Sequence, residues 1–210
     1  MSSLISRDLG YKQLPEVWED MKRFTDGRTG ETPDEIWFVE HPPIFTLGLN
    51  ANPSHVLEAG DIPVLKVDRG GQVTYHGPGQ LVAYLMLDLA RSKISVRGVV
   101  EALEAAVIDT VAVYGIEAYG KRDAPGVYVG GRKLAAVGLR IRRHCSYHGT
   151  AVNVDMRLEP FNRINPCGFE GLEVTQLSEL CGVRDMAQVR GDLEAKLKER
   201  LAGATMPVSA

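Results

Sequence analysis

Apolar residues along this chain follow two regimes. Through the middle they come in short dense runs broken by glycine and proline, and toward the ends they recur every three or four positions. Ile36 to Val39 and Ile44 to Leu47 flank His41-Pro42-Pro43, a pattern that predicts two strands parted by a turn. The segments IPVLKV (62–67) and QVTYH (72–76) predict strands around Gly70-Gly71. From Gln80 to Leu89 the apolar run does not alternate, which predicts a strand buried on both faces. GVYVGGRKLAAVGLRIRR predicts a hairpin turning at Gly130-Gly131.

Helical spacing starts near Ser95, where Val99, Leu103, Ala106, Val107, Val111 and Tyr114 share one face and Gly115 ends the helix. A shorter helix ends at Cys181-Gly182. The last has Asp185 and Gln188 as a capping pair and an apolar stripe of Met186, Val189, Leu193, Leu197 and Leu201. Central strands with helices at the flanks predict an α+β fold rather than a repeated βαβ winding. With 210 residues and no repeat or linker, the expectation is a single domain over 1–210.

Composition narrows the classes of function. A net charge of −3 does not suit a nucleic-acid binder. The longest apolar run, Leu81 to Leu87, is far too short to cross a bilayer. MSSLISRDLG has no signal-peptide core, and Asp8 argues against a transit peptide. The three cysteines, 145, 167 and 181, are odd in number with no CxxC pair, so free thiols and a cytoplasmic location are expected.

Two segments ask for an explanation. RGGQVTYHGPGQ (69–80) lacks the Lys-Ser/Thr of a phosphate loop and the third glycine and helix of a dinucleotide fingerprint. It is either a glycine-rich hairpin or a stretch stripped of side chains so that a ligand can lie against backbone, with Arg69 and His76 as polar handles. In KLAAVGLRI an unbroken strand puts Lys133, Ala135, Val137, Leu139 and Ile141 on one face. Lys133 there either snorkels to water at the strand mouth or stands as a positioned amine that stabilises a thiolate or moves a proton. On the opposite face Ala136 and Gly138 leave backbone open to a narrow chain. Arg140, Arg142 and Arg143 make a solvated face or a dock for an acidic partner.

Among the cysteines, Cys181 follows Leu177 and Leu180 at helical spacing and is expected in the core. Cys145 lies in HCSYH, where His144, Cys145 and His148 lack a fourth metal ligand, so no metal is expected. His41 and His55 read as surface or turn residues. Cys167 differs: Pro166 restricts the chain before it, Gly168 admits a neighbouring backbone, and the turn NPCG can present a thiol at a cleft. A free thiol titrates near ~8.5, leaving about 3% thiolate at pH 7, and a cation such as Lys133 raises that fraction. A Cys–His pair with His76 or His148 is the alternative.

Taken in order, DEIWFVEHPPIFTLG, RGGQVTYHGPGQLVAYLMLDL, GRKLAAVGLRIRR, YHGTAVNVD, FNRINPCG and VTQL resemble the octanoyltransferases of lipoate synthesis, over roughly residues 34 to 177. The resemblance implies the fold of the biotin/lipoate protein ligase catalytic domains, a mixed or antiparallel sheet flanked by helices. It implies transfer of an octanoyl group from octanoyl-acyl carrier protein to a lysine of lipoyl domains, those of 2-oxo acid dehydrogenase complexes and the glycine cleavage H protein. Cys167 matches the family's acyl-thioester nucleophile and Lys133 the lysine that lowers the thiol's pKa. The acyl pocket maps to Arg69, Gly70, Gly71, Gln72, Val73, Thr74, Tyr75 and His76, to Ala136, Val137 and Gly138, and to Gly149, Thr150 and Ala151, where Thr150 replaces the leucine of many members. No cofactor is expected, because thioester exchange followed by amide formation needs no ATP. The alternatives are an ATP-dependent lipoate or biotin protein ligase, a thioesterase, and a non-catalytic module binding lipoyl domains or acyl carriers.

Overall fold

The computed structural model describes residues 4–204. In chain order its elements begin with β1 (Ile5–Tyr11), α1 (Leu14–Asp26), β2 (Glu35–Glu40), β3 (Ile44–Leu47), β4 (Val64–Lys66), β5 (Val73–His76) and β6 (Gln80–Met86). They continue with α2 (Leu89–Ser92), α3 (Val96–Val113), β7 (Tyr119–Gly120), β8 (Gly126–Val129), β9 (Arg132–Arg142), β10 (Cys145–Asn153), α4 (Leu177–Cys181) and α5 (Met186–Ala204). Among the described residues seven strands form one sheet, in the order β1-β2-β6-β10-β9-β8-β7. It is antiparallel except where β1 runs parallel to β2. A smaller sheet of order β4-β3-β5 lies apart from it.

This α+β arrangement puts β6 inside the sheet, between β2 and β10, and its residues alternate between two cores. Leu81, Ala83 and Leu85 join Val99, Leu103 and Val107 of α3 and Leu193 and Leu197 of α5. Val82, Tyr84 and Met86 join Trp37, Val39 and, from α1, Val17 and Met21. Burial on both faces explains why the run from Gln80 does not alternate in hydrophobicity.

The helix ends follow from local chemistry. Ser95 accepts from the Gly98 N–H at 3.0 Å, Gly115 takes φ +77° just past α3, and Asp185 Oδ1 caps α5 through the N–H groups of Ala187 and Gln188 at 2.9 and 3.1 Å. At the β8–β9 hairpin Gly130 and Gly131 both have positive φ, as a two-residue turn of this hand requires.

Three expectations need correction. The strand from Ile62 to Val67 is only Val64–Lys66. The strand from Gln80 stops at Met86, because Asp88 caps the short α2 by accepting from the Arg91 N–H at 3.0 Å. Cys181 is exposed rather than in the core. In five-residue α4 Leu177 reaches the core, while the Cys181 thiol turns back to the Leu177 carbonyl at 3.3 Å.

Candidate active site

Cys167 occupies a single 3-10 turn, Pro166–Gly168, and has φ 56° and ψ 17°. A left-handed conformation at a non-glycine residue costs about 1–2 kcal/mol, so the surroundings must impose it. Gly168, at φ +80°, continues the bend, and its N–H bonds the Asn165 carbonyl at 2.9 Å. Asn165 is tied to the His55 carbonyl at 2.8 Å. A Cβ on Gly168 would lie 3.0 Å from Gln72 Cγ and 3.4 Å from His55 Nε2. The turn is therefore wedged between the loop carrying His55 and the glycine-rich segment, with the half-buried Cys167 thiol at its apex.

Lys133 is 3% exposed. Its Nζ lies 2.8 Å from Cys167 Sγ and 3.0 Å from the Pro125 carbonyl oxygen, and 5.3 Å from the centre of the Tyr128 ring. It does not snorkel, and it does not share a face with Val137, Leu139 and Ile141. The β8–β9 register pairs Val127 with Ala135 but Tyr128 with Lys133, so one extra residue, Leu134, interrupts the alternation of β9. Leu134, Ala135, Val137, Leu139 and Ile141 all turn to the core under α3 and α5, while Lys133 turns to the other side. Both of its main-chain groups bond the segment that follows the cysteine turn: its N–H to Glu173 O and its C=O from Thr175 N, each at 2.9 Å. The ammonium and the sulfur are thus held by the same stretch of chain.

A Cys–His pair is not formed. His76 places Nδ1 2.7 Å from Gln80 Oε1 and Nε2 3.4 Å from Thr46 Oγ1, and His148 Nε2 is 3.1 Å from Asp68. His144, Cys145 and His148 do not converge either; among the described residues no group of three or more His, Cys, Asp or Glu side chains could hold a metal ion.

Beside Cys167 a cavity of about 560 Å³, counted with its open side, lies against the sheet face covered by α1 and the small sheet. Arg69, Gly71, Gln72, Val73, Thr74 and His76 line it from one side, and Ala136, Val137, Gly138, Gly149, Thr150 and Ala151 from the other. Two expected residues do not line it. The Gly70 N–H is spent on the Leu139 carbonyl at 2.8 Å, which fastens the glycine-rich loop across β9. Tyr75 alternates away from Thr74 and His76 and packs on Phe45 and Phe161. Gly138 serves that fastening, since a Cβ there would sit 3.2 Å from the Gly70 carbonyl oxygen. Gly149 serves strand packing, because its Cβ would overlap Ala83 O at 2.0 Å. Thr150 donates its hydroxyl to Ala136 O at 3.0 Å. The Arg69 guanidinium bonds Gly70 O and Gln72 O, each at 2.9 Å, and Thr46 O and Oγ1 at 2.7 and 2.8 Å. It staples the loop to β3, and burial pushes its pKa down to about 10.

Residues 15–198 match the family described as lipoyl protein ligase A/B catalytic domain. An octanoyltransferase of Laribacter hongkongensis is 55% identical over 196 residues, covering 93% of this chain and 95% of the relative. The chain belongs to the octanoyltransferase family. Its fold extends beyond octanoyltransferases. A lipoate-protein ligase A solved with ATP matches with a TM-score of 0.75 at 14% identity, over 96% of this chain and 85% of that one. The biotin protein ligase of Aquifex aeolicus, solved with biotin and ATP, matches with a TM-score of 0.61 at 15% identity, over 96% and 71%.

In this octanoyltransferase-family chain the cavity also takes residues that sequence patterns did not single out, Leu14, Thr46, Val67, Val82 and Tyr84, and it takes His148, weighed before only as a metal ligand or a partner for Cys167. Val82 and Tyr84 alternate within a run that is apolar on both faces, so only the neighbouring elements tell which face meets the cavity. His41 is fully buried, not a surface residue. Its Nδ1 lies 2.7 Å from the Lys12 carbonyl oxygen, which makes that nitrogen the donor and leaves Nε2, at 2.8 Å, to accept from the Tyr84 hydroxyl. The ring of Tyr84 is thereby fixed in the cavity wall. Asp68 gathers Trp18 Nε1 at 2.8 Å, His148, and the Tyr147 hydroxyl. Burial opposes its ionisation, but those three donors prevail and hold the carboxyl well below the usual range.

Burial pushes His41 down to about 4 and His76 to about 3. Both rings stay neutral in the fold, while the unfolded chain protonates them below about 6.5. The unfolded state then binds more protons, so stability falls as the pH drops from about 6.5 to about 4. Urea unfolding at pH 7.5 and pH 4.5 should differ by about 2.5 kcal/mol from His41 alone. Equal midpoints and slopes at the two pH values would contradict the buried neutral assignment.

Proposed function

We propose that this chain carries an octanoyl group on Cys167 between two protein partners. The donor is octanoyl-acyl carrier protein, and the acceptors are lysines of lipoyl domains, those of 2-oxo acid dehydrogenase complexes and the glycine cleavage H protein, in the cytoplasm. One observation carries the reading: an ammonium 2.8 Å from a thiol, beside a cavity walled by Ala136, Gly138 and Ala151. The thiolate is the nucleophilic form of a cysteine, and an amine in contact with the sulfur is placed to exchange a proton with it.

In the first step the Cys167 thiolate attacks the donor's thioester carbonyl. The C–S bond to the carrier breaks, and the carrier thiolate takes a proton, which Lys133 is placed to give. In the second step the acceptor lysine, as a neutral amine, attacks the octanoyl-Cys167 thioester. An amide forms, the Cys167 C–S bond breaks, and the proton lost by the amine returns through Lys133 to restore the charged pair. One thioester replaces another and an amide then replaces a thioester, so no nucleotide is consumed. The acyl chain lies on the small-residue strip between the glycine-rich loop and β9.

Intact-protein mass spectrometry with octanoyl carrier protein and no nucleotide tests the reading. An octanoyl adduct that disappears when a lipoyl domain is added, with octanoylated lysine as product, supports it. Release of free octanoate would make the chain a thioesterase, and strict dependence on ATP would make it a ligase. Ala136→Leu puts a branched side chain into the cavity beside Cys167. It is expected to lower kcat/KM for the octanoyl donor at least tenfold, the scale of one misplaced branch in a fitted pocket. A butyryl donor should be affected less, and equal losses for both donors would remove the strip from the acyl path.

A further inference from the structure

We infer that Glu104, on α3, is a positioning residue for the Lys133–Cys167 pair, acting through the peptide group between Pro125 and Gly126. The inference rests on the proposed use of that pair and adds a member to it. Glu104 sits next to Leu103 at the half-buried edge of α3 and leaves the helix to accept from the Gly126 N–H at 2.7 Å. The carbonyl of the same peptide group, that of Pro125, accepts from Lys133 Nζ at 3.0 Å. In a trans peptide the N–H and C=O point in opposite directions, so the carboxylate and the ammonium hold one peptide group from its two ends.

A carboxylate on the N–H draws electron density toward the carbonyl oxygen and strengthens the bond on the far side. That favours the proton on Lys133 over Cys167, and so the ammonium–thiolate form over the amine–thiol form. Gly126 makes the arrangement possible. It has φ +140°, and a Cβ there would lie 2.5 Å from both Lys133 Cε and Ala135 O, so the lysine stem can lie flat on this residue only because it is glycine.

Other charged and titratable groups face the unit. The buried Arg69 guanidinium and Cys167 act on each other across the cavity, Glu101 and Lys133 both act on the Glu104 carboxyl, and Lys121 Nζ stands 4.3 Å over the Tyr128 ring. Asp123 and Tyr119 act on Tyr128. Burial pushes the Glu104 carboxyl up, and the Gly126 N–H and Lys133 partly reverse this.

The test uses the full chain and follows iodoacetamide alkylation of Cys167, resolved from Cys145 and Cys181 by peptide mass spectrometry, across pH 5–9. Glu104→Gln keeps an acceptor for Gly126 and removes the charge. It should slow Cys167 alkylation at neutral pH by about three- to tenfold, the scale of one partly screened charge, and move the midpoint of the profile to higher pH. In a Lys133→Met background the same substitution should have no such effect, because its target is gone. A Glu104→Gln variant that alkylates at the wild-type rate and midpoint overturns the inference, even if Glu104→Ala is slow, since that would leave only a structural bond. Should Glu104→Gln fail to fold, Glu104→Asp decides: it must keep the wild-type midpoint, and a shift as large as that of Glu104→Ala refutes the charge effect. Alkylation needs no acyl donor. Octanoyl transfer by the wild-type chain, run alongside, therefore reports on the proposed function separately.

Discussion

Replacing Cys167 with alanine is expected to abolish both octanoyl transfer and the covalent acyl-enzyme, a loss of at least about 10⁴-fold where a nucleophile is removed from a unit that acts together. The effect should be chemical rather than structural. Cys167 is half-buried at the apex of a turn, and that turn is held by Pro166, by the Gly168-to-Asn165 bond and by the tie to His55. None of these uses the thiol, and alanine meets the same backbone demand at φ 56° that cysteine does. Unfolding midpoints should therefore stay close to wild type. The other cysteines serve as internal controls: Cys145 is buried with its thiol pushed up by burial, and Cys181 is exposed on α4. An octanoyl adduct found on either of these in the wild-type chain, with none on Cys167, would overturn the assignment.

Lys133→Met is expected to cost about 10²- to 10⁴-fold in kcat/KM, the usual range for a group that moves a proton in the transition state. Methionine keeps much of the stem and loses the charge. The folded chain should not suffer, because taking a charge out of a site only 3% exposed relieves desolvation while stranding one carbonyl, that of Pro125. Lys133→Arg separates two roles. Arginine keeps the charge but holds its proton at any working pH, and its planar fork must enter a slot bounded by Sγ, the Pro125 carbonyl, the Tyr128 ring and Gly126. Cys167 alkylation should persist in this variant if it seats, while multiple turnover falls at least about 100-fold. Full turnover by Lys133→Arg would remove proton transfer from the role of Lys133 and leave only electrostatics.

Much of the architecture is local information. Apolar period, capping residues and paired glycines mark β6, α3, α5 and the β8–β9 hairpin, because each feature acts on residues a few positions apart. Cys167 stood out for the same reason, since a thiol between proline and glycine is a local anomaly, and the ordered motifs pointed to its family.

Other features depend on packing. The extra residue Leu134 shifts the β9 register against β8 and moves Lys133 to the face opposite the one that alternation assigns; a bulge is a property of two strands, not of one. Cys181 and His41 went the other way from expectation, because one helix is too short to bury its second turn and a histidine beside two prolines found Lys12 and Tyr84 waiting inside. The chain by itself marked Cys167 and Lys133 as candidates for acyl chemistry and marked several central strands and the long helices α3 and α5, through backbone preference and apolar spacing. Only the tertiary structure decided that an amine and a sulfur 34 positions apart would meet at 2.8 Å, because that distance depends on strand pairing and buried hydrogen bonds between segments remote in sequence.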